Sequence, residues 1–82
     1  MHHSTKAILE FFEYKHLPDY LQEVSKHFHW LAHALVGDAP THEGSTHNQF
    51  KLSGPELTVA LRKLLEAKDA AVRAAVVRDG VE

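Results

Sequence analysis

The chain has 82 residues, no cysteine and a formal net charge of −2 with its eight histidines counted as neutral. A chain of this length forms one domain at most and buries only about 60% of the surface that its unfolded form exposes. The lack of cysteine excludes disulfides and thiolate metal sites, and the slightly acidic charge argues against a sequence-independent DNA or RNA binder, which needs a large basic surplus.

The first residues of the chain carry a short helical pattern. They lack the apolar stretch and small-residue cleavage site of a signal peptide, and no apolar run approaches the ~20 residues of a membrane helix, so we expect a cytoplasmic protein. Ser4 can cap a helix, and apolar residues recur after it. We predict a short helix within residues 4–14, with Ile8, Leu9, Phe11 and Phe12 as its apolar residues.

The second predicted helix covers residues 18–36. Its apolar residues recur at intervals of four and three, which places them on one face. Pro18 suits the first turn, because the N–H that proline lacks would have no partner there. Gly37 is a typical residue after a helix end. The predicted apolar face consists of Leu17, Leu21, Val24, Phe28, Leu31 and Leu35.

Residues 38–52 show no repeat and are rich in residues typical of exposed loops, such as Pro40 and Gly44. A connection of this length between two helices is unusual and often has a functional role or is mobile. We therefore predict a mobile loop that folding does not require.

The third predicted helix covers residues 54–78. Ser53-Gly54-Pro55-Glu56 fits a capping box, and strong helix formers dominate the residues that follow. Two apolar lanes run along this helix about 100° apart. The alanine lane consists of Ala60, Leu64, Ala67, Ala71 and Ala74, and the aliphatic lane consists of Leu61, Leu65, Val72 and Val76.

These elements predict an all-α fold, an antiparallel two-helix hairpin preceded by a short helix. One lane of the third helix can pack on the second helix, which leaves the other exposed unless a further copy of the chain covers it. We therefore predict a symmetric homo-oligomer. The alternative is that the N-terminal segment, with Phe11 and Phe12, folds back over the second lane.

His29 and His33 are four residues apart on the second predicted helix, a spacing that lets two imidazoles bind one zinc ion. A third ligand would have to come from His42, His47 or another subunit. Trp30 stands where the metalloprotease motif has glutamate. We take both histidines as polar-face residues and predict no metal site.

Aromatic and basic residues flank the entrance to the hairpin. Phe12 and Tyr14 lie just before the second helix, and Lys26 lies about two turns into it. A tyrosine ring can stack on a nucleobase while an ammonium holds its phosphate. The alternative is that both rings form a hydrophobic clasp. Between Arg62 and Arg78, five basic residues stand against two acidic ones, a surplus that can hold a small anion.

Several short motifs run through most of the chain. They begin at Phe12-x-Tyr14, include Pro18 and Leu31-Ala32, and are clearest at Glu56-x-Thr58-x-Ala60 and Leu64-x-Glu66-Ala67-x-x-x-Ala71-x-x-Ala74. Together they resemble the anti-CBASS cyclic-oligonucleotide sponges of phages, whose helical-hairpin domain is shared with the Thoeris anti-defence sponges. The resemblance implies a homo-oligomer with ligand pockets between subunits, and we expect this oligomer to be a hexamer.

The resemblance further implies that the protein binds cyclic dinucleotides in some pockets and cyclic trinucleotides in others. It would sequester these immune messengers without cleaving them, in the cytoplasm of an infected bacterium, with no cofactor, no membrane and no DNA as partner. Tyr14 would stack on a base and Lys26 would hold a phosphate. Thr58, at the start of the last helix, could donate its hydroxyl or its backbone N–H to a phosphate. Phe12, Ser25 and Arg62 complete the candidate residues.

Two features depart from the family pattern and bear on the shape of the pocket: the insertion of most of residues 41–52, and Val72-Arg73 where an Asn-Ala pair is usual. The sequence contains no recognisable nucleophile motif and no glycine-rich phosphate loop after a strand, so we predict no enzyme. The other interpretations are an oligomeric helical adaptor that binds another protein and, third, a histidine-based metal-binding bundle.

Overall fold

The computed structural model describes residues 3–38 and 49–80, and every regular element in those ranges is helical. Helix α1 spans His3–Leu9 and continues as a 3₁₀ turn over Glu10–Phe12; α2 spans Asp19–Val36 and α3 spans Pro55–Gly80. The predicted all-α class is therefore confirmed. None of the described helices is both long and apolar enough to span a bilayer. Most of the predicted loop, residues 39–48, lies outside the described residues.

Helix α2 begins one residue later than predicted and ends at the predicted residue. Pro18 precedes it, and the carbonyl of Pro18 accepts from the N–H groups of Leu21 and Gln22 at 2.9 and 3.0 Å. Gly37 ends the helix with φ +103°, a conformation that a side chain disfavours. Its N–H donates to the carbonyl of His33 at 2.8 Å, which satisfies one of the last carbonyls of the helix.

The core lies where α1, the 3₁₀ turn, α2 and α3 meet. Phe12, Ala32 and Leu61 are fully buried there, with Leu9 and Leu57 beside them. Leu61 belongs to the aliphatic lane and Leu65 of the same lane packs partly buried against this cluster, to which the N-terminal segment contributes Leu9 and Phe12. Phe12 thus lies where the alternative from the sequence places it, whereas Phe11 is 64% exposed.

Part of the predicted loop is attached to α2. The N–H of Phe50 donates to the carbonyl of Ala34 at 2.9 Å, and the N–H of Leu52 donates to that of Leu35 at 2.8 Å. These bonds satisfy carbonyls of the last turn of α2, which otherwise have no partner within the helix. The stretch from residue 49 to 52 is therefore part of the fold.

Helix α3 leaves an apolar face uncovered. With 26 residues it is about 39 Å long, close to the 43 Å length of the molecule. Small apolar residues recur on its outer side at helical spacing and are exposed, and we call them the α3 stripe. The α3 stripe consists of Ala67, Ala70, Ala74 and Val77.

Candidate functional site

The six residues predicted to bind a cyclic nucleotide have very different environments. Three are buried within the chain, two are half-buried and one is exposed. Phe12 and Ser25 have no exposed surface, Tyr14 is 8% exposed, Lys26 and Thr58 are half-buried, and Arg62 is exposed.

Tyr14 packs against α2. Its ring lies edge-on to the imidazole of His29, with 5.1 Å between centroids and 68° between planes. Together with the burial of Phe12, this contact supports the alternative interpretation of the two rings, a clasp that holds the N-terminal segment on the core. A ring that is 8% exposed offers little of its face to a nucleobase.

Lys26 lies beside a different aromatic residue, Trp30. Its Nζ is 5.8 Å from the centroid of the indole ring, within the range of a cation–π interaction. The same ammonium pairs with the carboxylate of Glu23 at 3.1 Å, and the imidazole of His27 lies edge-on to the indole, 6.0 Å between centroids. Sequence reasoning missed the Lys26–Trp30 pair, although its spacing of four residues places both side chains on one face of a helix.

Thr58 and Arg62 lie on one face of α3, also four residues apart. Because α3 begins at Pro55, Thr58 is its fourth residue, and its N–H falls within the regular hydrogen-bond ladder. Only the hydroxyl of Thr58 remains for a phosphate. Among the residues that the structure describes, a cation and an aromatic ring come together at Lys26 and Trp30, both of which are half-buried.

A second group of polar side chains meets where the 3₁₀ turn reaches α2. One ligand-type atom from each of Glu13, His29 and His33 lies within 4.8 Å of the others. The two imidazole rings are 4.4 Å apart between centroids. The sequence predicted only the histidine pair, and it assigned the third ligand to His42 or His47, which lie outside the described residues, or to another subunit. Glu13 is remote from both histidines in sequence, so spacing alone gave no signal.

Comparison with protein-family models, with curated proteins and with solved structures finds no match to this chain.

Proposed function

We propose that the protein is a viral anti-defence sponge that binds cyclic di- and trinucleotides and holds them uncleaved in the cytoplasm of an infected bacterium. The proposal includes a symmetric homo-oligomer, a hexamer in expectation, built from antiparallel helical hairpins. It rests on the family resemblance of the sequence motifs and on one geometric observation, the half-buried Lys26–Trp30 pair of α2.

The Lys26–Trp30 pair combines the two groups that a nucleotide requires. The indole provides a stacking surface, and each stacked base contributes about 1–3 kcal/mol to binding. The ammonium of Lys26 can turn from the ring to a phosphate oxygen and form a charge-assisted hydrogen bond, which uncovers the indole face. Two copies related by a twofold axis would present two rings and two cations to a ligand that itself has near-twofold symmetry.

Glu23 competes with a phosphate for Lys26. The side chain of Glu23 is 72% exposed and that of Lys26 28% exposed, so their ion pair contributes little, about 0–1 kcal/mol. A phosphate can therefore replace the carboxylate at small cost. Glu23→Gln removes the competitor and its repulsion towards the anionic ligand, and it should tighten ligand binding.

The α3 stripe supports the oligomer. Alanines allow two helix backbones to approach closely, and the stripe extends over more than two turns of α3 with no cover from the described part of the chain. Contact between two such stripes would place α3 at a subunit interface. The family resemblance implies that the ligand pockets also lie between subunits.

Calorimetric titration with cyclic di- and trinucleotides tests the proposal. Lys26→Ala and Trp30→Ala should each lower affinity by about 1–3 kcal/mol, because one removes a phosphate partner and the other a stacking surface. Lys63→Ala, which removes an exposed lysine of α3, is the matched control and should bind as the wild type does. Tyr14→Phe keeps the buried ring and shows whether the Tyr14 hydroxyl contributes.

The state of the ligand completes the test. Ligand recovered after denaturation of the complex should elute unaltered on chromatography, whereas linear products would identify a nuclease and reject the sponge. Failure of every cyclic nucleotide to bind at micromolar concentration would also reject it.

A second candidate function is an oligomeric adaptor for another protein. Large apolar side chains on the surface favour it: Phe11 is 64% exposed, and Val59 and Val77 of α3 are 45% and 69% exposed. An adaptor would retain its partner when Lys26 is replaced by alanine and lose it when Val77 is replaced by glutamate.

A further inference from the structure

We propose that Glu13, His29 and His33 bind a divalent transition-metal ion, with Zn²⁺ as the ion that fits best. Two imidazoles and one carboxylate are ligands that zinc uses in proteins. Glu13 follows the 3₁₀ turn and both histidines lie on α2, so the three ligands come from two parts of the chain that the core already holds together. The site is independent of the Lys26–Trp30 pair and of the proposed function.

The distances require little adjustment. A tetrahedral zinc ion at about 2.0–2.1 Å from its ligands holds them roughly 3.3–3.4 Å apart. The three ligand atoms already lie within 4.8 Å of one another. For all three atoms to reach bonding distance of one ion, each atom must move by about 1 Å or less. Small rotations of the side chains are enough for this. Glu13 is exposed, so its carboxylate can turn without disturbing the core.

Hydrogen bonds indicate which nitrogen of each imidazole carries the proton. Nδ1 of His29 lies 3.1 Å from the carbonyl oxygen of Phe12, and Nδ1 of His33 lies 2.7 Å from Oδ1 of Asp38. A carbonyl and a carboxylate only accept, so each Nδ1 carries the proton and donates. In the neutral rings the lone pair then lies on Nε2, and we assign Nε2 as the ligand atom of each ring for this reason.

The same two hydrogen bonds are of the kind that support metal-binding histidines in other proteins. Such histidines usually donate their second ring nitrogen to a carboxylate or a backbone carbonyl, which orients the ring and makes it a better ligand. His29 uses the carbonyl of Phe12 and His33 uses the carboxylate of Asp38. Nε2 of His33 is buried and has no hydrogen-bond partner in the described part of the chain. A buried polar atom of this kind costs stability unless something satisfies it, and a metal ion would do so.

A groove borders two of the three proposed ligands, Glu13 and His33. This open groove of about 400 Å³ also borders Asp38, with Leu9 on its wall. Three protein ligands leave the fourth tetrahedral position for water or a further ligand from solution. In a chain of 82 residues without disulfides, an ion that joins Glu13 to α2 would also stabilise the N-terminal segment on the core.

Titration of the full-length protein with CoCl₂ and ZnCl₂, without nucleotide, tests the site. Co²⁺ at a low-symmetry site of this kind gives visible absorption bands that Zn²⁺ abolishes by displacement. We expect one strongly bound ion per chain and a rise in melting temperature when Zn²⁺ is added. Glu13→Gln and His33→Gln should each weaken binding by more than the roughly 10- to 100-fold that loss of an outer contact causes.

The other histidines make a matched control necessary. His27 lies on the same helix, is exposed and is outside the cluster, so His27→Gln should leave the affinity and the cobalt spectrum unchanged. Circular dichroism and melting in EDTA should confirm that each variant folds. Wild-type affinity in Glu13→Gln, or an equal loss in His27→Gln, would overturn the proposal and assign the bound ion to surface histidines.

Discussion

Ser25 is fully buried on α2, and its hydroxyl has no hydrogen-bond partner among the residues that the structure describes. A small residue at this position, like Ala32 two turns later, lets the neighbouring elements approach the helix closely. The hydroxyl itself adds a desolvation cost that nothing in the described chain offsets.

Ser25→Ala should therefore preserve or raise stability, by up to about 1–2 kcal/mol, because it removes an unsatisfied polar atom and keeps the volume. Chemical denaturation of the two proteins measures the difference. Ser25→Val, which overfills the contact, is the control and should destabilise. A clear loss of stability in Ser25→Ala would mean that the hydroxyl has a partner in the folded protein.

Gly37 has a conformation and surroundings that together exclude a side chain. Its φ is +103°, and a Cβ built there would lie 2.5 Å from Cγ of Lys51. Gly37→Ala should lower the free energy of unfolding by more than 2 kcal/mol, of which about 1–2 kcal/mol comes from the backbone conformation.

Gly54→Ala separates the two causes. Gly54 also has a positive φ, +90°, but nothing lies within 4 Å of its Cβ direction. Its replacement should cost only the backbone strain, about 1–2 kcal/mol. Equal losses in the two variants, measured by chemical denaturation, would contradict the close approach of Lys51 to Gly37.

The buried face of α2 was predictable only in part. Leu21, Phe28 and Leu35 belong both to the predicted apolar face and to the packed part of the helix. Ser25 and Ala32 are more deeply buried than Val24 or Leu31, because close packing selects size as well as hydrophobicity. A pattern based on hydrophobicity alone does not identify a buried serine.

At the scale of elements, the two adjacent phenylalanines of the N-terminal segment have opposite environments. Phe12 is completely buried in the core, whereas its neighbour Phe11 is 64% exposed. The carbonyl of Phe11 accepts from Nζ of Lys68 at 2.9 Å, which connects the 3₁₀ turn to α3. Alanine variants of the two adjacent phenylalanines can therefore be compared directly, one at a buried and one at an exposed position.

Phe12→Ala should destabilise the fold by about 3–5 kcal/mol, because it leaves a cavity at the centre of the core. Phe11→Ala should change stability by less than about 0.5 kcal/mol. Thermal and chemical denaturation of both variants provide the comparison. A similar loss in both would mean that Phe11 is also buried in solution, for example at a subunit contact.

The helices themselves were predictable, since apolar spacing and the end signals depend on local sequence. Segments predicted at 18–36 and 54–78 correspond to α2 and α3 within two residues at each end. The hydrogen bonds of Phe50 and Leu52 to the end of α2 were not predictable, because they depend on how the chain returns through space. For the same reason the sequence missed Glu13 as a neighbour of the two histidines.

At the scale of the whole molecule, the α3 stripe is the surface expected between subunits. Ala67→Glu and Ala74→Glu should each disperse the proposed oligomer, because a carboxylate would be buried without a partner in a close helix contact. Arg73→Glu, an exposed change of charge on the same helix outside the stripe, is the control and should leave the mass unchanged. Light scattering at micromolar concentration measures the mass of each protein. A wild-type mass of 9.2 kDa, that of a single chain, would contradict the oligomer.

Native mass spectrometry of the wild-type protein with a cyclic dinucleotide tests the sponge most directly, since it measures assembly and ligand together. We expect one symmetric species whose mass is a multiple of 9.2 kDa, corresponding to six chains. This species should carry a whole number of ligands. Each ligand should be released at its intact mass, and Lys26→Ala should release it at lower collision energy. A single chain without ligand, or a ligand heavier by one water, the product of hydrolysis, would contradict the sponge.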